Sequence, residues 1–134
     1  MAGRPLSPND PKFLANACAV KGWPDTKPAQ AVSDAFIKAI VDNDFQAYKT
    51  RVSTKLLDEF AKNPKNCKIQ RWWDSARAEL EKHHAKWEYK GVKTNMPKII
   101  DLEYKRTMDS GESVVMIELV KEGEKWLVDS AGSL

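Results

Sequence analysis

A chain of 134 residues, 42% hydrophobic and 31% charged, is large enough for one self-sufficient core and has the balance of an ordinary globular domain. It holds no apolar run near the ~20 residues that a bilayer-spanning helix needs, so no transmembrane segment is expected. A net charge of +3 is too small to argue for a nucleic-acid partner by itself.

The charge is unevenly spread. Residues 62–98 hold ten Lys or Arg against four acids, and residues 99–134 hold four against eight. Lys65, Lys68, Arg71, Lys82, Lys86, Lys90 and Lys93 interleave with tryptophans, a pattern that single-strand binders use. Asp74, Glu79, Glu81 and Glu88 interrupt that run and no nucleic-acid module accompanies it, which weighs against this reading.

Five of the seven prolines fall within the first 28 residues, at positions 5, 8, 11, 24 and 28. Proline removes backbone donors and restricts its predecessor, so residues 1–27 read as an extended proline-rich arm and residues 28–134 as a single domain. The arm's Phe13, Leu14, Val20 and Trp23 suggest that part of it lies on the domain. The opening Met1-Ala-Gly-Arg-Pro-Leu-Ser-Pro has no apolar core of a signal peptide, although removal of a leader would leave the same appearance.

The first helix starts near Pro28, with Thr26 as its cap and Ala29, Val32, Ala35, Phe36, Ala39 and Ile40 on one apolar face. Asp42-Asn43-Asp44 ends it and offers a new cap, and Phe45, Ala47, Tyr48 and Val52 indicate a shorter second helix. Ser53 can cap a third, with Leu56, Leu57, Phe60 and Ala61 inward and Asn63-Pro64 as its stop. The fourth carries Ile69, Trp72, Trp73, Ala76, Leu80, His83 and His84 on one broad stripe.

After His84 the period changes to that of strands. Trp87-Glu-Tyr89-Lys alternates and Gly91 interrupts it, which predicts a short edge strand or a strand with a bulge. Ile100, Leu102 and Tyr104 form one inward row, and Val115, Ile117 and Leu119 the next. Asp109-Ser-Gly111 and Glu122-Gly123 read as turns, and Trp126 and Val128 open the last strand. Helices first and an antiparallel meander afterwards give an α+β domain, with the helices covering the apolar face of the sheet.

Two stretches resemble a known family. Ala29-Gln-Ala-Val-Ser-Asp-Ala-Phe36 through Asp44-Phe-Gln-Ala-Tyr48 resembles the opening of nuclear transport factor 2-like (cystatin-like) domains, where a long helix breaks at an acidic residue before a short one. Val115 to Asp129, with Gly123-Glu-Lys-Trp126, resembles the last hairpin of that family. In character the chain is most similar to the small bacterial lipoprotein-like domains among them. The resemblance implies a strongly curved sheet wrapped round the helices as a cone, with a pocket at its open end. It also implies either an enzyme or a non-catalytic binding or dimerisation module, because fold does not settle function.

Candidate chemistry is sparse. No phosphate loop, dinucleotide glycine motif, nucleophile signature or metal-ligand spacing is present, so no cofactor and no metal are expected. Cys18 and Cys67 can form a disulfide between the arm and the Pro64–Lys68 loop, or stay as two free thiols. A bond would suit an oxidising compartment such as the bacterial periplasm or cell envelope, and free thiols would suit the cytoplasm. Asp101 and Asp129 alternate with inward residues and are expected on the solvated face.

The leading expectation is a non-catalytic binding module that holds a small apolar ligand or a protein partner at the cone mouth, with a homodimer also possible. Trp72, Trp73, Arg71, Arg77, Trp87 and Tyr104 are the binding candidates, since tryptophan and arginine are enriched at binding hot spots. Exchange of Trp73 for alanine is expected to weaken capture and leave the domain folded. The alternative is a small lyase or isomerase, with His83 or His84 paired with Tyr48 as acid and base.

Overall fold

A computed structural model describes residues 24–134; most of the arm, including Cys18, lies outside the described residues. Among the described residues four helices, α1 (Lys27–Val41), α2 (Phe45–Lys49), α3 (Thr54–Lys62) and α4 (Lys68–His83), precede four strands. The strands β1 (Lys86–Met96), β2 (Ile99–Met108), β3 (Gly111–Glu122) and β4 (Lys125–Ser130) form one antiparallel sheet in the order β1-β2-β3-β4. The α+β class and the meander follow from the sequence periods as expected.

Proline occupies the first turn of α1, where its missing N–H is no loss, and Ala29, Ser33, Phe36, Ile37, Ala39 and Ile40 form the buried stripe. Asp44 caps α2 by accepting from the Ala47 N–H at 3.1 Å. Thr26 and Ser53 stand at the caps of α1 and α3, but neither side chain makes a cap bond. Ser53 donates instead to Asp129 Oδ1 at 2.7 Å, on β4. Glu122 takes its place, accepting from the Thr54 N–H at 3.0 Å and its hydroxyl at 2.6 Å. Likewise Glu59 of α3 accepts from the Lys68 N–H at 2.9 Å, at the start of α4. Two helix starts are thus satisfied by carboxylates from neighbouring elements, which also favour the positive end of each helix.

The inner face of the sheet presents Ile100, Leu102, Tyr104, Val115, Ile117, Leu119, Trp126 and Val128, all buried beneath the helices. The connection from α2 to α3 clips onto the edge of β4 through a parallel bridge, Val52 to Val128. Its bonds are Val128 N–H to Arg51 O at 2.7 Å and Ser53 N–H to Val128 O at 2.8 Å. At the opposite edge, β1 is the second of the two expected forms, a strand with a bulge at Gly91, and it runs on to Met96. Bulges between Tyr89 and Gly91 and between Val92 and Thr94 break the period of two and hide its second half from pattern reading. Those bulges, with Lys86, Lys90 and Lys93, also discourage pairing of this open edge with another strand.

The helix layer is joined by an aromatic cluster. Tyr48 stacks on Phe36 at 4.6 Å and meets Trp73 edge-on at 4.9 Å between ring centres, while Phe45 contacts Trp73 at 5.0 Å and Phe60 at 5.7 Å. The Tyr48 hydroxyl donates to the Ile69 carbonyl at 2.6 Å, which leaves no buried phenol unpaired.

Asp101 and Glu118 face each other across β2 and β3 on the outer face, and Asp129 stands beside them on β4. Partial burial, then the hydrogen bond and charge of Asp101, hold the Glu118 carboxyl above its usual range; Asp129 adds to this and Lys55 opposes it. The folded state therefore keeps the Glu118 proton more tightly than the unfolded state does. Its favourable contribution is complete below the ordinary glutamate range and is lost as pH rises through the folded value. Glu118→Gln is expected to melt above the parent protein at pH 7, with the gain shrinking towards zero on acidification, as thermal melts across pH would register.

Candidate functional site

A cleft of about 420 Å³ opens where the C-terminal ends of α1 and α4 meet the start of β1. Ile37 and Val41 come from α1, Leu80 from α4, and Ala85 and Trp87 from the chain leaving α4, giving a mainly apolar wall. His84 and Lys86 stand at its rim. Val41 is 48% exposed, as an apolar side chain with nothing packed over it.

Arg77 fixes the two helical walls. Its guanidinium donates to the Ile40 carbonyl at 2.8 Å and pairs with Glu81 at 2.6 Å, so a cation of α4 satisfies the carbonyl end of α1. At the end of α4, His84 adopts the left-handed conformation, φ 58°, and the Ala85 N–H reaches back to the Glu79 carbonyl at 3.2 Å. A non-glycine residue takes that conformation at a cost of roughly 1–2 kcal/mol. Two links join this end of the helix to Asp109, in the β2–β3 turn: Asp109 N–H to His83 O at 3.0 Å, and, between exposed side chains, His84 Nδ1 to Asp109 Oδ2 at 2.7 Å. The indole Nε1–H of Trp87 is covered and has no acceptor. The rim is therefore braced by backbone and side chain together, and the cleft is a preformed apolar recess with a polar edge.

The expected binding residues do not gather in one place. Trp87 lines the cleft and Arg77 braces it from behind. Arg71 is exposed and bonds Asn66 at 3.0 Å. Trp72 is half-buried against Gly132, where a Cβ would come within 3.2 Å of its indole Nε1. Trp73, 9% exposed, belongs to the aromatic core. Tyr104 is buried, donates to Asp34 Oδ1 at 2.6 Å and packs edge-on against Tyr89 at 5.5 Å. Burial, then Asp34, pushes its phenol far above the usual range, so it stays protonated at neutral pH.

The acid–base trio is not assembled either. Tyr48 is bonded at Ile69, near the start of α4, and burial first, then Cys67 and Asp74, drives its phenol far upward. His83 and His84 are exposed at the other end of that helix, roughly 22 Å away along its axis at 1.5 Å per residue. Asp101 and Asp129 lie on the outer face, as their alternation predicts. Cys67 is wholly buried and is bonded to no other cysteine among the described residues; its expected bond to Cys18 falls outside them.

Sequence reasoning passed over Val41 and the Asp34–Tyr104 pair. Val41 carries a weak signal, an apolar residue at the helix end beside Asp42 and off the main stripe. The pair spans 70 positions and carries none. Among the described residues no three His, Cys, Asp or Glu converge as metal ligands, and no helix is long and apolar enough to cross a membrane. No protein-family model matches the chain, and no curated protein matches it.

Trp73→Ala removes the ring that joins Phe45 and Tyr48 and leaves a cavity in the helix layer. We expect a loss of about 3–5 kcal/mol in urea unfolding.

Proposed function

We propose that this chain is a non-catalytic binding module of the nuclear transport factor 2-like kind, and that its occupant is a small, neutral, apolar molecule held in the α1–α4–β1 cleft. The observation that carries this reading is an open recess whose walls are almost wholly aliphatic and aromatic, held in shape without a ligand by Arg77 and the His84–Asp109 link. Its volume of about 420 Å³ lies within the range typical of small-molecule sites. Apolar walls reward burial of an apolar body at roughly 25 cal/mol per Å² of surface removed from water. The histidine at the rim already faces a carboxylate, and Lys86 stays in solvent, so neither demands a charged ligand.

The probe of choice is N-phenyl-1-naphthylamine, a neutral fluorophore that brightens on leaving water. Val41→Lys places a charge in the recess at a half-exposed helix end, where a cation suits the helix dipole and the fold is spared. It should lower probe affinity by about tenfold or more at unchanged circular dichroism, for the ~1.5–3 kcal/mol of one large apolar contact. Arg71→Ala should leave probe binding as it is. Equal affinity in the Val41→Lys protein would place the apolar ligand elsewhere.

A further inference from the structure

A second cleft, of about 330 Å³, lies on another side of α1, between its first turns, the α2–α3 connection and the β3–β4 hairpin. Its chemistry differs from that of the first. Arg51 and Lys125 bring positive charge, Glu124 brings a single carboxylate, and Pro28, Val32 and Trp126 form the apolar walls.

Arg51 is the unusual residue. It is only partly exposed, and among the described residues its guanidinium makes no hydrogen bond, the Nε–H being completely covered. The other two arginines in the packed part of the domain each hold a partner through a terminal nitrogen: Arg77 holds Ile40 and Glu81, and Arg106, whose Nε–H is likewise covered and unpaired, holds the Leu134 carbonyl at 2.7 Å. No ion pair satisfies Arg51 among the described residues. Burying part of a guanidinium without a counter-charge is costly, and native structures leave few such donors unpaired. Nor can the residue drift away from the problem. Its N–H donates to the Tyr48 carbonyl at 3.1 Å and its own carbonyl accepts from Val128 at 2.7 Å, so the backbone is clamped between α2 and β4. A partly desolvated guanidinium that lines a cleft from an anchored backbone is suited to receive an anion.

We propose that this cleft binds a small carboxylate with a flat apolar body. The guanidinium fork matches a carboxylate in two parallel hydrogen bonds, Lys125 adds charge at the opening, and the apolar body lies among Trp126, Val32 and Pro28. This site is independent of the neutral-ligand cleft and stands or falls separately.

The test titrates the full chain with 2-naphthoate, followed by isothermal calorimetry and by amide chemical shifts, beside the isosteric neutral 2-naphthamide. Saturable naphthoate binding that shifts the Arg51, Lys125 and Trp126 signals is expected, with the amide weaker by at least about tenfold, as a charge-assisted bond is lost. Arg51→Gln should reduce naphthoate affinity to a similar degree, and its melting temperature should be equal to or above that of the parent, since its Nε–H gives up no native bond. Excess N-phenyl-1-naphthylamine should not displace naphthoate. Lack of saturable binding, equal affinity for the amide, unchanged affinity in Arg51→Gln, or displacement by the neutral probe would each overturn the proposal.

Discussion

The helix layer depends on one buried side chain, Tyr48. It sits on a five-residue helix that would not persist alone in water, since so short a segment cannot recover its nucleation cost. Its ring stacks on Phe36 of α1 and meets Trp73 of α4, and its hydroxyl occupies the Ile69 carbonyl. With the Asp44 cap, these contacts fix α2 between the two longest helices. The chain then leaves α2 in a set direction, and Val52 clips onto β4, so one anchored phenol positions both the helices and their connection to the sheet.

That arrangement decides which aromatic and basic residues remain for ligands. Trp73 is consumed by the core and Arg77 by the carbonyl end of α1, because both fill needs that packing creates. The two clefts lie where the helix layer meets the sheet: Val41, Leu80 and Trp87 on one side, Arg51 and Trp126 on the other. The two recesses differ in character because the first is walled mainly by apolar side chains and the second holds a guanidinium that has no partner among the described residues.

Much of the scaffold is legible in the sequence, for a local reason. Helical spacing from Ala29 to Ile40 and strand alternation at Ile100, Leu102 and Tyr104 are properties of neighbouring residues, and the observed buried rows follow them, except that on α1 Ser33 and Ile37 are buried while Val32 and Ala35 are only partly so. The Asp44 cap is local in the same way. What escapes is long-range. Ser53 looks like a cap, yet its hydroxyl goes to Asp129, 76 positions away, and Glu122 does the capping. Adjacent tryptophans on a helix must point about 100° apart, which says that Trp72 and Trp73 differ but not which one enters the core. Neither cleft is written in any single segment: the first joins residues 37–41 to 80–87, and the second joins α1 and Arg51 to the last hairpin.

Trp72 and Trp73 pack against the body of the fold, whereas Trp87, on β1 just past α4, lines the proposed ligand cleft. Indole N–H signals in a ¹H–¹⁵N spectrum, assigned by single substitutions, test it directly when the neutral naphthylamine is titrated in. Movement of the Trp87 indole signal, with those of Trp72 and Trp73 unmoved, is the result this account predicts. Movement of Trp72 or Trp73 with Trp87 unmoved would contradict it.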